Sequence, residues 1–371
     1  MSRAPSESIQ ERESAVVLSV KSAAQAVLPH SLRQSLREAW VSLNVSQLHG
    51  PRTIRLPKDE AIVTCVVKNG EYYMESFINH YLSMGFRHIF FLDNGSSDQT
   101  IAIAREYGNV SVCQSRLPIS ANQRLFKKYL AANSVRGGWC LDADVDEFFD
   151  YPHSGVVSLQ ELLGYLNEHN YNAVMTQLLD MFSDRPLSHL VNEQKEDIKA
   201  VYEYYDISEV RKTSYQSSPV AVKCAAANKL ASSDASLLWG GIRKRLYGND
   251  CLLTKHSLFY PEAGLELFPH IHFVNKANVA DVSAVMLHYK LTSNALAMAL
   301  QNRNNFTENS KTYGAFIDVL QNSSEIQVKR STARRFGSAS ELCEGDFLMT
   351  SPAYEGMAVA RVENDLLRVQ Q

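Results

Sequence analysis

Residues 61–100 read AIVTCVVKNGEYYMESFINHYLSMGFRHIFFLDNGSSDQT, and this stretch decides the fold. The run 61–67 is β-branched and apolar without alternation, the composition of a strand buried on both faces. Met74, Phe77, Ile78 and Tyr81 then fall at i, i+3, i+4 and i+7, one apolar helix face, and Gly85 suits a left-handed residue past its end. HIFFL follows as a second strand, and DNGSSD leads into a helix near 99–107. Working outward, a third strand is expected at 110–113. Phe126, Tyr129, Leu130 and Asn133 suggest another helix before Gly137, Gly138 and a fourth strand, WCLD. Strand alternating with helix four times predicts a doubly wound α/β domain, its mostly parallel sheet covered by helices on both faces. Such sheets bind ligands beyond the carboxyl ends of their strands. KNGE, DNGSSD and DADVDE all start where a strand ends, so they are expected to converge on one crevice.

Composition narrows the field. The 371 residues carry 37 Lys plus Arg against 40 Asp plus Glu, a formal charge of −3, which gives no general reason to expect nucleic acid. With 45% hydrophobic and 21% charged residues, wholesale disorder is excluded. The six cysteines form no CxxC pair, arguing against a disulfide scaffold or a Cys-rich zinc site. The N-terminal sequence MSRAPSESIQERESAVVLSV holds only a short apolar stretch, so a reduced, cytoplasmic protein without a transmembrane segment is expected, with peripheral membrane contact left open.

Residues 1–57 read as an N-terminal appendage, 58–321 as the main domain and 322–371 as a C-terminal tail bearing Lys329, Arg330, Arg334 and Arg335. Within the appendage, Leu32, Leu36 and Trp40 recur at helical spacing, read as a packing helix in preference to a membrane-surface one. Further along, AVMTQLL is a strand leading to DMFSDRP, 192–236 reads as long polar loops, and order returns in LLWGGIRKRLYG, in SAVMLHYKL and in a helix over 293–320.

The segment WCLDADVDEFF sets Asp142, Asp144, Asp146 and Glu147 directly after an apolar strand. Carboxylates this dense repel one another unless a cation or hydrogen bonds compensate, which points to a hard divalent ion in preference to a solvated acidic turn. An EF-hand register starting at Asp142 puts Glu147 where glycine belongs and His153 where the last glutamate belongs. A haloacid-dehalogenase-like phosphatase would use Asp142 as nucleophile, but that fold carries the motif on its first strand. A DxD site holding Mn2+ or Mg2+ against a nucleoside diphosphate suits a motif at the end of a fourth strand.

Taken together, 66–100, WCLDADVDEFF, GGIRKRL and MLHYK resemble glycosyltransferases of the family 2 type, GT-A fold, in particular a DxDEF-containing subgroup that also resembles family 92. The resemblance spans roughly 61–320. It implies a nucleoside site at Val67, Lys68, Asn69, Asp93 and Asn94, with Asp98 left to helix capping; Gly70 separates Asn69 from Glu71 where the family more often has Asn-Glu adjacent. For the metal it implies Asp144 and Asp146 with Asp142 on the donor side, or Asp142 and Asp144 in the alternative register; Asp144 is common to both. His288 is a further expected ligand, with His270 and His272 as rivals. Arg243 is expected on the donor phosphates, Arg245 near the donor in a structural role, and Asp180 as the catalytic base with Asp184 second. The implied activity is metal-dependent, inverting transfer of a sugar from a nucleoside diphosphate donor, a UDP-sugar, to a glycan or other hydroxyl acceptor. Polysaccharide biosynthesis is its expected setting. A phosphatase using Asp142 and a noncatalytic metal- or nucleotide-binding protein stand as alternatives.

Overall fold

The computed structural model describes residues 29–186, 197–305, 310–322 and 326–369. The chain divides between Asn44 and Val45. Of the first unit, helix α1 (His30–Leu43) is described, carrying Leu32, Leu36 and Trp40 at i, i+4 and i+8. The boundary expected at 57 moves back because β1 (Ser46–His49) already belongs to the main sheet, pairing antiparallel with the strand at 110–114.

The expected alternation follows. β2 (Ala61–Val67) leads to α2 (Glu71–Ser83), β3 (His88–Asp93), α3 (Thr100–Arg105), β4 (Val110–Gln114), α4 (Ile119–Asn133) and β5 (Trp139–Asp142). Every residue of β3 and β5 is buried, as continuous apolar strands require. Tyr73, Met74, Phe77, Ile78, His80 and Tyr81 of α2 are buried, two residues more than the periodicity implied. Each apolar side chain among them contributes roughly 1.5–3 kcal/mol by leaving water.

Beyond β5 the chain makes a tight acidic turn into β6 (Glu147–Asp150), then α5 (Leu159–Glu168), opened by a Ser158–Glu161 capping box, and β7 (Ala173–Asp180). A separate ribbon pairs β8 (Ser236–Gly240) with Val210–Ser214 and passes into α6 (Ile242–Tyr247). The sheet is completed by β9 (Thr254–Phe259) and β10 (Ala284–His288). Helices α7 (Ala295–Asn305) and α8 (Ser310–Asn322) stand where one helix was expected, and α9 (Pro352–Val369) closes the chain.

The result is an α/β fold on a mixed sheet of eleven strands among the described residues, running β1-β4-β3-β2-β5-β9-β7 and on to the two-residue strands Asn278–Val279 and Lys229–Leu230, with β10 also beside β7 and β6 beside β10. β2, β3, β4 and β5 are mutually parallel, and β10 is parallel to β7. Strand β9, which the sequence reading passed over, inserts antiparallel between β5 and β7. The stretch expected as loops holds short elements after Asp197, among them Ile198–Val201 and Pro219–Cys224; its earlier part lies outside the described residues.

The segment expected as a tail is part of the core. Leu342, Phe347, Leu348, Tyr354 and Ala358 join the main hydrophobic cluster, and the Tyr354 hydroxyl donates to Pro152 O at 2.7 Å. Its basic cluster is pinned: Lys329 Nζ lies 3.7 Å from the centroid of the Tyr204 ring, Arg330 meets Glu209 and Arg335 meets Glu203. Among the described residues no helix is long and apolar enough to cross a membrane.

Candidate active site

The three polar segments converge beyond the sheet's carboxyl edge. Parallel register sets Val67 beside Asp93, and the N–H of Asn94 donates to Val67 O. Asn69, at φ 51°, accepts from Ser97 N through Oδ1 and donates its own N–H to Ser96 Oγ. Lys68 keeps its carbonyl at the strand end, where it accepts from Gln301 of α7 at 2.7 Å.

Two side chains expected on the donor are instead engaged in closing this loop. The Asp93 carboxylate is fully buried and accepts from Gly95 N, Ser96 N and Gln114 Nε2 at 2.8 to 3.1 Å. Asn94 donates to the carbonyls of Ser115 and Leu117. Asp98 does cap, accepting from Thr100 N and also from Glu71 N, while Glu71 returns the favour by accepting from Gln99 N. The two helix N-termini thus cap each other, which gives Glu71 a structural role despite the intervening Gly70.

The acidic turn carries its own cations. Lys127, on the buried face of α4, places Nζ 2.7 Å from Asp142 Oδ2 and 2.9 Å from Asp144 Oδ1. Lys255 of β9 places Nζ 2.5 Å from Glu147 Oε1 and 3.2 Å from Asp144 Oδ2. Both lysines are almost wholly buried. Burial alone would push their pKa values down, but the surrounding carboxylates outweigh it and hold both above the usual lysine range. Asp142, 2% exposed, is raised by burial against the pull of Lys127, and its Oδ1 has no partner. Buried there, it offers no approach to a phosphate ester, as a phosphatase nucleophile would need. Asp144 keeps 37% of its side chain exposed, yet both oxygens face ammonium groups. Although burial opposes it, Lys127 and Lys255 hold its pKa well below the carboxylate range. A divalent ion at Asp144 would meet two positive charges, so the residue common to both DxD registers is the less suitable ligand.

Asp146 and His288 form a different kind of pair. The register of β10 against β7 sets His288 beside Asp180, and Tyr289 N donates to Asp146 O, which fixes the turn opposite the histidine. His288 Nδ1 donates to Asp180 Oδ1 at 2.6 Å, leaving Nε2 3.5 Å from Asp146 Oδ2. Two ligands of one hard ion with bonds of about 2.1 Å stand roughly 3–3.5 Å apart. A carboxylate on the far nitrogen is the usual way a ligating imidazole is oriented. Among the described residues no group of three or more His, Cys, Asp and Glu gathers in ligand geometry. The pair could supply at most two of the ligands of a Mn2+ or Mg2+ ion, the rest of whose shell would come from phosphates and water. His270 and His272 lie on a separate hairpin, their rings 5.4 Å apart.

Asp180, expected as the base, is 6% exposed and holds Arg243 Nε at 2.9 Å with its second oxygen. Burial would raise its pKa; Arg243 and His288 bring it down to about 2. A carboxylate so placed orients Arg243 and His288. Asp184 is half exposed, 3.8 Å from Lys329 Nζ. The GGIRKRL segment turns sharply because Gly240 and Gly241 take φ 83° and 67°, open only to glycine without strain. This delivers Arg243 to Asp180, while Arg245, also expected near the donor, is bonded to Asp206 and Val328 O.

Sequence reasoning missed Lys127, Lys255 and Lys290. Lys127 left a signal, since it shares helical spacing with the apolar Leu130 and Ala131. Lys290, two residues past His288, lines a small cavity with Asp146 and Tyr73. No protein-family model matches the chain, and no curated protein matches it.

Proposed function

We propose that the chain is a GT-A glycosyltransferase of the family 2 type. It would move a sugar from a nucleoside diphosphate donor, a UDP-sugar, to a hydroxyl of a glycan or other acceptor, with inversion, in the cytoplasm. The observation that carries this reading is the meeting of Asp146 and His288 beyond the carboxyl edge of a parallel sheet core, with Asp180 behind the histidine.

Asp146 and His288 are the residues that would hold Mn2+ or Mg2+; when bound, the ion offsets charge gathering on the departing diphosphate. Asp180 fixes the tautomer of His288, so that Nε2 is the nitrogen presented, and keeps Arg243 in place. Lys290 stays charged at neutral pH: burial works against it, but Tyr313, Tyr247 and Asp146 raise its pKa. It adds positive potential next to the pair, where a diphosphate would gather charge. The nucleoside would lie against Val67, Lys68 and Asn69. Asp184 is the more accessible of the two carboxylates expected as base, and would take the acceptor's proton.

The test is release of nucleoside diphosphate from UDP-, GDP- and CDP-sugars in Mn2+, Mg2+ or EDTA, comparing wild type with Asp146→Ala. Slow metal-dependent hydrolysis of one donor, abolished in the variant, is the expected result. Metal-dependent UDP binding without turnover would make the chain a noncatalytic nucleotide-binding protein. Hydrolysis of a generic phosphate ester that Asp142→Asn removes would replace the reading with a phosphatase.

A further inference from the structure

Helix α1 carries its large apolar residues on an exposed side. Leu32, Leu36, Trp40 and Leu43 fall at i, i+4, i+8 and i+11, within an arc of about 80° on a helix of 3.6 residues per turn. Their exposures are 45%, 53%, 56% and 82%. Val41, on the opposite side of the helix, is buried. A packing helix, the expectation from sequence, would bury the four side chains that here stand open. An exposed apolar stripe of this kind marks a place of contact with a protein or a membrane.

Charge distinguishes the two. Residues 30–58 hold five Lys or Arg against the single Glu38, in a chain of net charge −3. Beyond the helix, Arg52, Arg55 and Lys58 are exposed, and none of them pairs with a described carboxylate: the nearby Asp59 accepts from Gln160, and Glu60 faces Arg87. Arg55 also stands in register beside Arg136, where 54–55 pairs parallel with 135–136. Arg136, exposed as well, donates to Ala132 O and Val135 O and to no acid. Like charges side by side on neighbouring strands repel, and an anionic surface facing them relieves the repulsion.

We propose that residues 30–58, together with Arg136, dock on the surface of an anionic lipid bilayer. Leu32, Leu36, Trp40 and Leu43 enter the boundary between headgroups and acyl chains, and the basic residues face lipid phosphates. Leu43 and Arg52 are nine residues apart, a reach of at most about 30 Å, so both parts can meet one extended surface. A bilayer offers apolar depth and phosphate side by side over its whole area, the combination that these residues call for. With 14 residues, α1 is too short to span and would lie in the plane of the interface. The inference goes beyond the transferase reading, since it requires neither donor nor metal.

Cosedimentation of the full-length protein with vesicles, without donor or metal, tests it. Wild type binds vesicles of equal parts phosphatidylcholine and phosphatidylglycerol at least about tenfold more tightly than phosphatidylcholine alone, and added salt narrows the gap. Arg52→Gln combined with Arg55→Gln weakens binding to the anionic vesicles about tenfold. Leu36→Ser combined with Trp40→Ser weakens it at least as much. Both variants keep the thermal midpoint of wild type, because the exchanged side chains are exposed. No binding by folded wild type, equal binding to the two kinds of vesicle, or full affinity in either variant overturns the proposal. So does a lipid-free dimer that the serine variant dissociates, which gives the stripe to a second copy of this chain. Should the serine variant fail to fold, the glutamine variant decides.

Discussion

His288 donates from Nδ1 to Asp180 at 2.6 Å, and this one bond determines which ring nitrogen faces Asp146. The consequence is a division of labour among carboxylates that look alike in sequence. On the proposed reading Asp146 and His288 would present ligands with Asp180 orienting the histidine, while Asp142 sits beneath with Lys127. Asp180→Asn should therefore weaken Mn2+ binding by about 10- to 100-fold in a protein that still folds. Asp142→Asn should leave it within about twofold. Mn2+ titration followed by electron paramagnetic resonance measures both. Equal losses would mean that the ion sits on the Asp142 side.

The second prediction concerns Lys127, whose ammonium bridges two acids from within the core. Removing one partner of a buried ion pair strands the other, which typically destabilises by about 3–5 kcal/mol. Lys127→Met should shift the urea midpoint accordingly, with little change in slope. Adding Asp142→Asn should recover much of the loss, because the stranded charge disappears. A double-mutant cycle with no coupling between the two positions would contradict the pairing.

How much of this was legible follows from where each residue finds its partner. β2, α2 and β3 were readable because their burial is encoded in local periodicity, period 3.6 for Phe77 and Tyr81, unbroken apolar character for the strands. β9 was not, since TKHSLF looks like a loop. Its polar residues are buried only because Thr254 meets Gln177, Lys255 meets Glu147 and Ser257 meets Thr176 across the sheet. The C-terminal segment hid for a similar reason: Leu342, Phe347, Leu348 and Tyr354 reach the core at irregular spacing. At the site, the acidic motif and His288 were visible as residue types. Which acid faces which cation was not, because the lysines arrive from α4 and β9.

Acid should destabilise the protein before its carboxylates are protonated. His80 donates Nε2–H to Phe149 O and accepts from Lys199 Nζ on Nδ1, so the fold holds it neutral; burial, with Lys199 beside it, lowers its pKa to about 3. Burial lowers His88 and His256 to about 4. Unfolded, each would titrate near 6.5. Between about 6.5 and those folded values the unfolded chain binds more protons, so stability is fully present above that window and is lost as pH falls through it. Each histidine contributes up to about 1.4 kcal/mol per pH unit. His288, whose pKa is raised, works in the opposite sense. Urea denaturation from pH 7.5 to 4.5 should show falling stability, with a shallower fall in His80→Gln; a flat profile would contradict neutral burial of these rings.

The last prediction follows from how little room lies over Asp146. The cavity that it lines with Tyr73 and Lys290 measures about 10 Å3, and Ala295, Met298 and Ala299 of α7 form its far wall. That is space for about one water. Gln301, one turn further along the same helix, bonds to Lys68 O where the nucleoside is proposed to lie. If the transferase reading holds, α7 must shift for a donor to enter, and apparent affinity is reduced by the free energy of that shift. Gln301→Ala removes a bond of about 1 kcal/mol from the closed form and should tighten UDP binding in Mn2+ by roughly fivefold. Hydrogen exchange should change across 295–305 when UDP and Mn2+ are added, while 61–67 stays protected. Unchanged exchange in α7 together with weaker binding in Gln301→Ala would instead make this helix a fixed wall, with Gln301 a direct contact of the nucleotide.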